Sequence, residues 1–136
     1  EGVFHQLHAT MADRMLLVMA EHDGAIIGGA LNFIGADTLY GRNWGADVNI
    51  PCLHFEACYY QAIEFAIERG LKIVEAGAQG FHKVQRGYLP VTTYSAHWIA
   101  HDGFRAAVAR YLESERRGIT DEVNAIEMQA NPFRKG

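Results

Sequence analysis

The strongest periodic signal in the chain begins at Phe55. Phe55, Cys58, Tyr59, Ala62, Ile63 and Ala66 recur at helical spacing, while Glu56, Gln61, Glu64 and Glu68 take the other side. Gly70 supplies a left-handed stop and Leu71 the apolar contact that follows it, which predicts an amphipathic helix over 55–69. The run 71–75 then reads as a buried strand, and a helix leading into it makes the sheet at least partly parallel. Upstream, the apolar run 14–20, the Asp23-Gly24 turn and the branched run 25–34 predict an antiparallel hairpin. Gly28-Gly29 inside its second strand predicts a bulge, or a close approach by a ligand or neighbouring backbone. Residues 38–44 read as a third strand, with Thr38, Tyr40, Arg42 and Trp44 on one face and Leu39, Gly41 and Asn43 on the other. The first of these faces either lines a polar pocket or meets solvent.

Past the strand end at Glu75 the pattern changes character. Gly77 and Gly80 bracket a turn, and 79–86 predicts a short helix. Gln79, His82, Lys83 and Arg86 fall at i, i+3, i+4 and i+7, a basic stripe opposite Phe81, Val84 and Tyr88. A glycine-rich turn feeding a helix start exposes N–H groups beside a partial positive charge, so the stripe is either an anion seat or a solvated basic face. Gly87 and Pro90 interrupt, and 91–99 alternates like a strand, with His97 and Ser95 on one face. Asp102 is placed to cap a helix with the stripe Phe104, Ala107, Val108, Tyr111 and Leu112, ended by Gly118; Thr120 would cap a last short helix reaching 130. Residues 1–13 show no clean periodicity and read as a lead-in. The succession describes an α/β (α+β) fold with a mixed, mostly antiparallel sheet and helices on both faces.

Composition narrows this picture. A chain of 136 residues with 49% apolar and 21% charged side chains is one domain's worth of globular sequence. Because the first residue is Glu1 rather than Met, the chain is expected to be a piece of something longer. Its net charge of −4 argues against bulk binding of duplex DNA, although a local basic patch is compatible with it. No apolar run approaches the about 20 residues a membrane-spanning helix needs. Cys52 and Cys58 are too few for a disulfide framework, which points to a reducing cytoplasm.

Three groups of residues carry candidate chemistry. Cys52, His54 and Cys58 have ligand-type side chains, but no fourth ligand is evident and Cys58 lies on the helix's apolar stripe, so a core thiol is expected rather than a metal. His82, His97 and His101 carry the side-chain type most often used as a general base. His82 stands out for sharing its face with Lys83. Glu75 sits at a strand end, where open α/β sheets place their ligands; it serves as a base toward an amine or pairs with Lys83 or Arg86. No Ser-His-Asp spacing, phosphate loop or dinucleotide fingerprint is present.

The segments Glu75-Ala76-Gly77-Ala78-Gln79-Gly80, His82-Lys83, Arg86-Gly87-Tyr88 and Pro90 carry a resemblance, together with Gly41-Arg42-Asn43-Trp44-Gly45 and His54-Phe55-Glu56-Ala57-Cys58-Tyr59-Tyr60. They resemble the FemAB-like family of peptidoglycan biosynthesis or recognition proteins, over nearly the whole chain. Phe81 stands where that family's pattern has an acidic residue, and Asn43 where it has an aromatic one. The resemblance implies a GNAT-like (acyl-CoA N-acyltransferase) fold and a single domain over 1–136 forming the C-terminal half of a longer, two-half protein. It implies transfer of an acyl or aminoacyl group from acyl-CoA or aminoacyl-tRNA to an amine, linked to small-molecule or cell-wall-precursor substrates. On that reading Glu75 or His82 is the base, and Gln79, Lys83 and Arg86 hold the anionic donor or precursor. Arg42 and Trp44 line the acceptor side, with His97 nearby. A recognition or scaffolding domain with the same anion seat is the alternative. The stretch 46–54 has no glycine-rich cradle of the kind that holds a pyrophosphate ahead of the corresponding helix.

Overall fold

Asp23 and Gly24 take φ values of 50° and 78°, the left-handed pair whose twist matches that of the strands it joins. Strand β1 (Met15–His22) therefore folds back antiparallel on β2 (Ala25–Ile34). The computed structural model describes residues 2–77 and 81–129. They divide into two units, residues 1–79 and 80–136, each treated by itself.

In the first unit, β3 (Thr38–Ala46) pairs antiparallel with β2, and β4 (Ile73–Glu75) pairs parallel with β3, giving a sheet in the order β1-β2-β3-β4. This is the mixed, mostly antiparallel sheet expected. The irregularity foreseen at Gly28-Gly29 is a bulge: Ala20 faces Gly28 but Glu21 faces Ile26, leaving Ile27 extra. Residues read as a lead-in form a short helix, α1 (Gly2–Met11), none of which is buried.

The amphipathic helix is present but not uniform. It consists of α2 (Leu53–Phe55), a π-helical turn (Glu56–Tyr60) and α3 (Gln61–Glu68), with helical backbone across both junctions. Gly70, at φ 66°, ends it as expected: Leu71 N–H donates to the Ala66 carbonyl at 2.8 Å and Gly70 N–H to that of Ile67 at 3.1 Å. The chain turns at once, because the N–H groups of Lys72 and Ile73 both donate to the Asp37 carbonyl (2.8 and 3.2 Å). That anchor lays β4 beside the start of β3. The helical segment packs on β3 and β4 through α3 and on β1 and β2 through the π-turn. Between the layers lie Ala30 and Leu39 from the sheet and Ala57, Tyr59, Ala62 and Ala66 from the helix, all under 5% exposed.

In the second unit the basic stretch forms a 3-10 helix (Phe81–Arg86), tighter than the helix expected. The strand expected over 91–99 is absent: these residues have no regular structure, and Tyr94 and Trp98 are 93% and 85% exposed. Alternation supplies two faces, but a strand also needs a neighbouring edge for its ladder, and among the described residues the sheet contains only β1 to β4. The two helices expected after it are one, α4 (Asp102–Gln129). His101, not Asp102, caps it: Phe104 N–H donates to His101 Nδ1 at 3.1 Å, while Asp102 lies in the first turn and pairs with Arg105. Gly118 costs a helix only about 1 kcal/mol, too little to break one of this length. Thr120 does not start a new helix, because its hydroxyl donates back to the Arg116 carbonyl at 3.0 Å.

Candidate functional site

The site starts with a defect in the sheet. Along β2 and β3, Leu31 faces Asn43 and Asn32 faces Gly41, so Arg42 is the extra residue of a second bulge. Directly paired residues share a face of the sheet, so Trp44, opposite Ala30, joins Gly41 and Leu39 on the core face with Ala30 and Asn32. Uninterrupted alternation would have put Trp44 with Thr38 and Tyr40, as the sequence suggested. The inserted Arg42 flips it. The same place marks the end of β4: parallel pairing stops at Tyr40 opposite Glu75, and β3 runs on to Ala46 without it.

A second defect, in the helix, supplies the facing wall. In a regular α-helix, residues five apart point roughly 140° away from each other. The π-turn at Glu56–Tyr60 adds a residue to one turn and brings positions i and i+5 back together. His54 and Tyr59 accordingly meet edge to face, with ring centroids 5.5 Å apart, and His54 also meets Trp44 across the gap at 5.6 Å.

Between the two defects lies a cavity of about 130 Å³. It is lined by Ala30, Leu31, Asn32, Gly41, Arg42, Asn43, Trp44, His54, Cys58, Tyr59 and Ala76. Asn32 is 2% exposed, and its carboxamide makes one long hydrogen bond among the described residues, from Nδ2 to the Ala30 carbonyl at 3.4 Å. A Cβ at Gly41 would lie 3.3 Å from the Glu75 carbonyl oxygen, a tight approach, and 3.6 Å from Asn32 Oδ1, an ordinary contact. Burial pushes the Cys58 thiol up to about 11, so it lines the cavity as a protonated, unreactive group.

Of the residues singled out from sequence, Arg42 and Trp44 come together here. Glu75 does not face the same way: it is paired with Tyr40, on the sheet face opposite Trp44 and Asn32, and contributes its carbonyl beside Gly41. In the second unit His82, Lys83 and Arg86 share the 3-10 helix, where Arg86 Nη1 donates to the His82 carbonyl at 2.8 Å. Burial lowers the pKa of the Lys83 ammonium. His97 is exposed and bonded through Nε2 to Ser95 Oγ at 2.9 Å. Gln79 lies outside the described residues. His54 and Asn32 were not foreseen as site residues. The four-residue step from His54 to Cys58 was the available signal for the first, and a lone polar residue in the apolar run 25–34 for the second. No group of three or more His, Cys, Asp or Glu side chains able to hold a metal occurs among the described residues.

A family model described as FemAB-like, peptidoglycan biosynthesis/recognition, matches residues 1–135. The chain belongs to the FemAB-like family. No curated protein and no solved structure matches this FemAB-like chain. Membership gives it a cell-wall-related role, and no helix among its described residues is long and apolar enough to cross a membrane.

Proposed function

We propose that this FemAB-like domain transfers an acyl or aminoacyl group to an amine, with the acceptor side at the bulged end of β3. The observation that carries this reading is the cavity placed where β4 stops and β3 continues, walled by Arg42, Trp44 and His54. Strands that part company leave backbone N–H and C=O groups of β3 available to a substrate, and an adjacent cavity positions its end group. In the reaction the amine nitrogen attacks the donor carbonyl and a C–N bond forms. The C–S bond of a thioester, or the C–O bond of an aminoacyl ester, breaks. A base takes the amine proton, and the thiol or hydroxyl leaves. From the sequence, Glu75 or His82 is the base; the cavity itself offers the imidazole of His54. Gln79, Lys83 and Arg86 hold the anionic part of an acyl-CoA, an aminoacyl-tRNA or a cell-wall precursor.

A recognition module is the second reading. It is favoured by the position of the Glu75 side chain on the far face of the sheet, which takes that carboxylate away from an amine held in the cavity.

The deciding measurement is turnover. Acyl-CoA and aminoacyl-tRNA are each offered with an amine-bearing cell-wall precursor, and amide product is followed by mass spectrometry. Transfer requires product, with a loss of about 100-fold or more in the Glu75→Gln, His82→Ala double variant. Undiminished turnover in that variant removes the base assignment. Precursor binding without product from either donor establishes the recognition module instead.

A further inference from the structure

We infer that a second copy of this chain adds to the sheet along β1, antiparallel and centred on Val18. The sheet order leaves two outer edges, and they differ. β4 is three residues long, too short to offer a neighbour much of a ladder. β1 is eight residues long, and from Met15 to Ala20 it carries neither a charge nor a proline, the usual devices that keep an edge from pairing. The bulge near its end inserts Ile27 into β2 and adds no residue to β1 itself. Alternate residues of an edge strand turn their N–H and C=O groups outward. Among the described residues, no backbone bond from outside the β1–β2 pairing reaches Leu16–His22, so that outward row is open.

The side chains select the occupant. Leu17 and Met19 are 56% and 58% exposed, on the sheet face away from Ala30 and Asn32. Two symmetric registers keep all but one residue of β1 in an antiparallel ladder with itself. Centred on Val18, each Leu17 lies directly opposite the other copy's Met19, and the two exposed side chains cover one another. Centred on Met19, Leu17 would face the charged Glu21 and lose that cover. An unrelated strand could satisfy the backbone, but this side-chain match at symmetric positions is a match of β1 with β1. Such pairing is isologous, with its two-fold axis through Val18 and perpendicular to the sheet. The helical layers and cavities of both copies then lie on the same face of one continuous sheet.

The test is light scattering and amide hydrogen exchange on the full chain over a dilution series, with two double variants. The mass of the unaltered chain is expected to approach twice that of one copy, and exchange of the outward β1 amides to slow as concentration rises. Leu17→Lys with Met19→Lys sets like charges opposite each other at both symmetric positions, whereas Leu17→Glu with Met19→Lys sets opposite charges there. The second variant is expected to dimerise at least about tenfold more tightly than the first. Both positions are exposed, so unchanged circular dichroism separates lost pairing from lost folding, and the exchange measurement needs no variant. A monomer at every concentration, equal affinity in the two variants, or exchange of the β1 amides indifferent to concentration overturns the inference.

Discussion

The described residues up to 77 and those from 81 onward use their apolar side chains in opposite ways. In the first stretch Ala30, Leu39, Ala57, Tyr59, Ala62 and Ala66 are buried; in the second, Val84 is. A residue such as Leu39 is 0% exposed because strands pair on both sides of it and a helix crosses above. Phe104 and Tyr111 on α4 stay 60% and 64% exposed, since a single helix covers little of its own stripe. The contrast bears on chemistry. A β-bulge and a π-turn each sacrifice regular hydrogen bonding; the π-turn buries Ala57 and Tyr59 while the bulged residue Arg42 stays exposed, and the cavity lies between the two.

Truncating one residue from each region is the harshest way to break the contrast. Leu39→Ala is expected to cost about 2–5 kcal/mol in denaturant unfolding, against no more than about 0.5 kcal/mol for Tyr111→Ala. Equal losses would mean that α4 is buried in solution. Thiol chemistry comes next. Cys52 is exposed, whereas the Cys58 thiol, raised from 9.0 to about 11, holds about a hundredfold less thiolate at neutral pH than an ordinary cysteine. Iodoacetamide should therefore label the exposed Cys52 before Cys58. The same shift gives a sign for stability. The proton is bound more tightly in the folded state, so this contribution is complete below pH 9 and is lost as pH rises towards about 11. Cys58→Ala should flatten the decline.

Glycine replacement sharpens the comparison at smaller cost. Gly28→Ala puts a methyl 2.9 Å from the Ala46 Cβ and 3.1 Å from the Gly45 carbonyl oxygen, and should destabilise by about 1–3 kcal/mol. Gly118→Ala meets nothing within 4 Å in the middle of α4 and should instead stabilise by about 1 kcal/mol, read as a higher melting temperature. Matching signs for the two would show that local backbone preference, not packing, governs both regions.

How much of this the sequence disclosed follows the same division. The Asp23-Gly24 hairpin, the third strand, the stripe from Phe55 to Ala66, the Gly70 stop and the parallel return were legible because each is dictated by local residue types and confirmed by packing within the same stretch. Beyond residue 81 local signals had no such confirmation, so the alternation over 91–99 suggested a strand that lacks a partner. Gly118 and Thr120 likewise suggested a break that a long helix absorbs. At the site, Arg42 and Trp44 were placed on one face that either lines a pocket or meets solvent, and the bulge that turns Trp44 inward is a one-residue slip of register. Nothing in the residue types of 38–44 announces it. Asn32 escaped notice, and His54 was weighed only as a metal ligand, for a related reason: each becomes part of a cavity only through a neighbour far away in sequence.

The π-turn also means that helical winding, independently of composition, holds the cavity's far wall in place. Were Glu56–Tyr60 to rewind as ordinary α-helix with its residues unchanged, His54 and Tyr59, five positions apart, would point roughly 140° away from each other. Loss of Glu56 or Ala57 along with the rewinding would leave the two rings four positions apart and facing again, so the extra residue and the wider turn compensate one another.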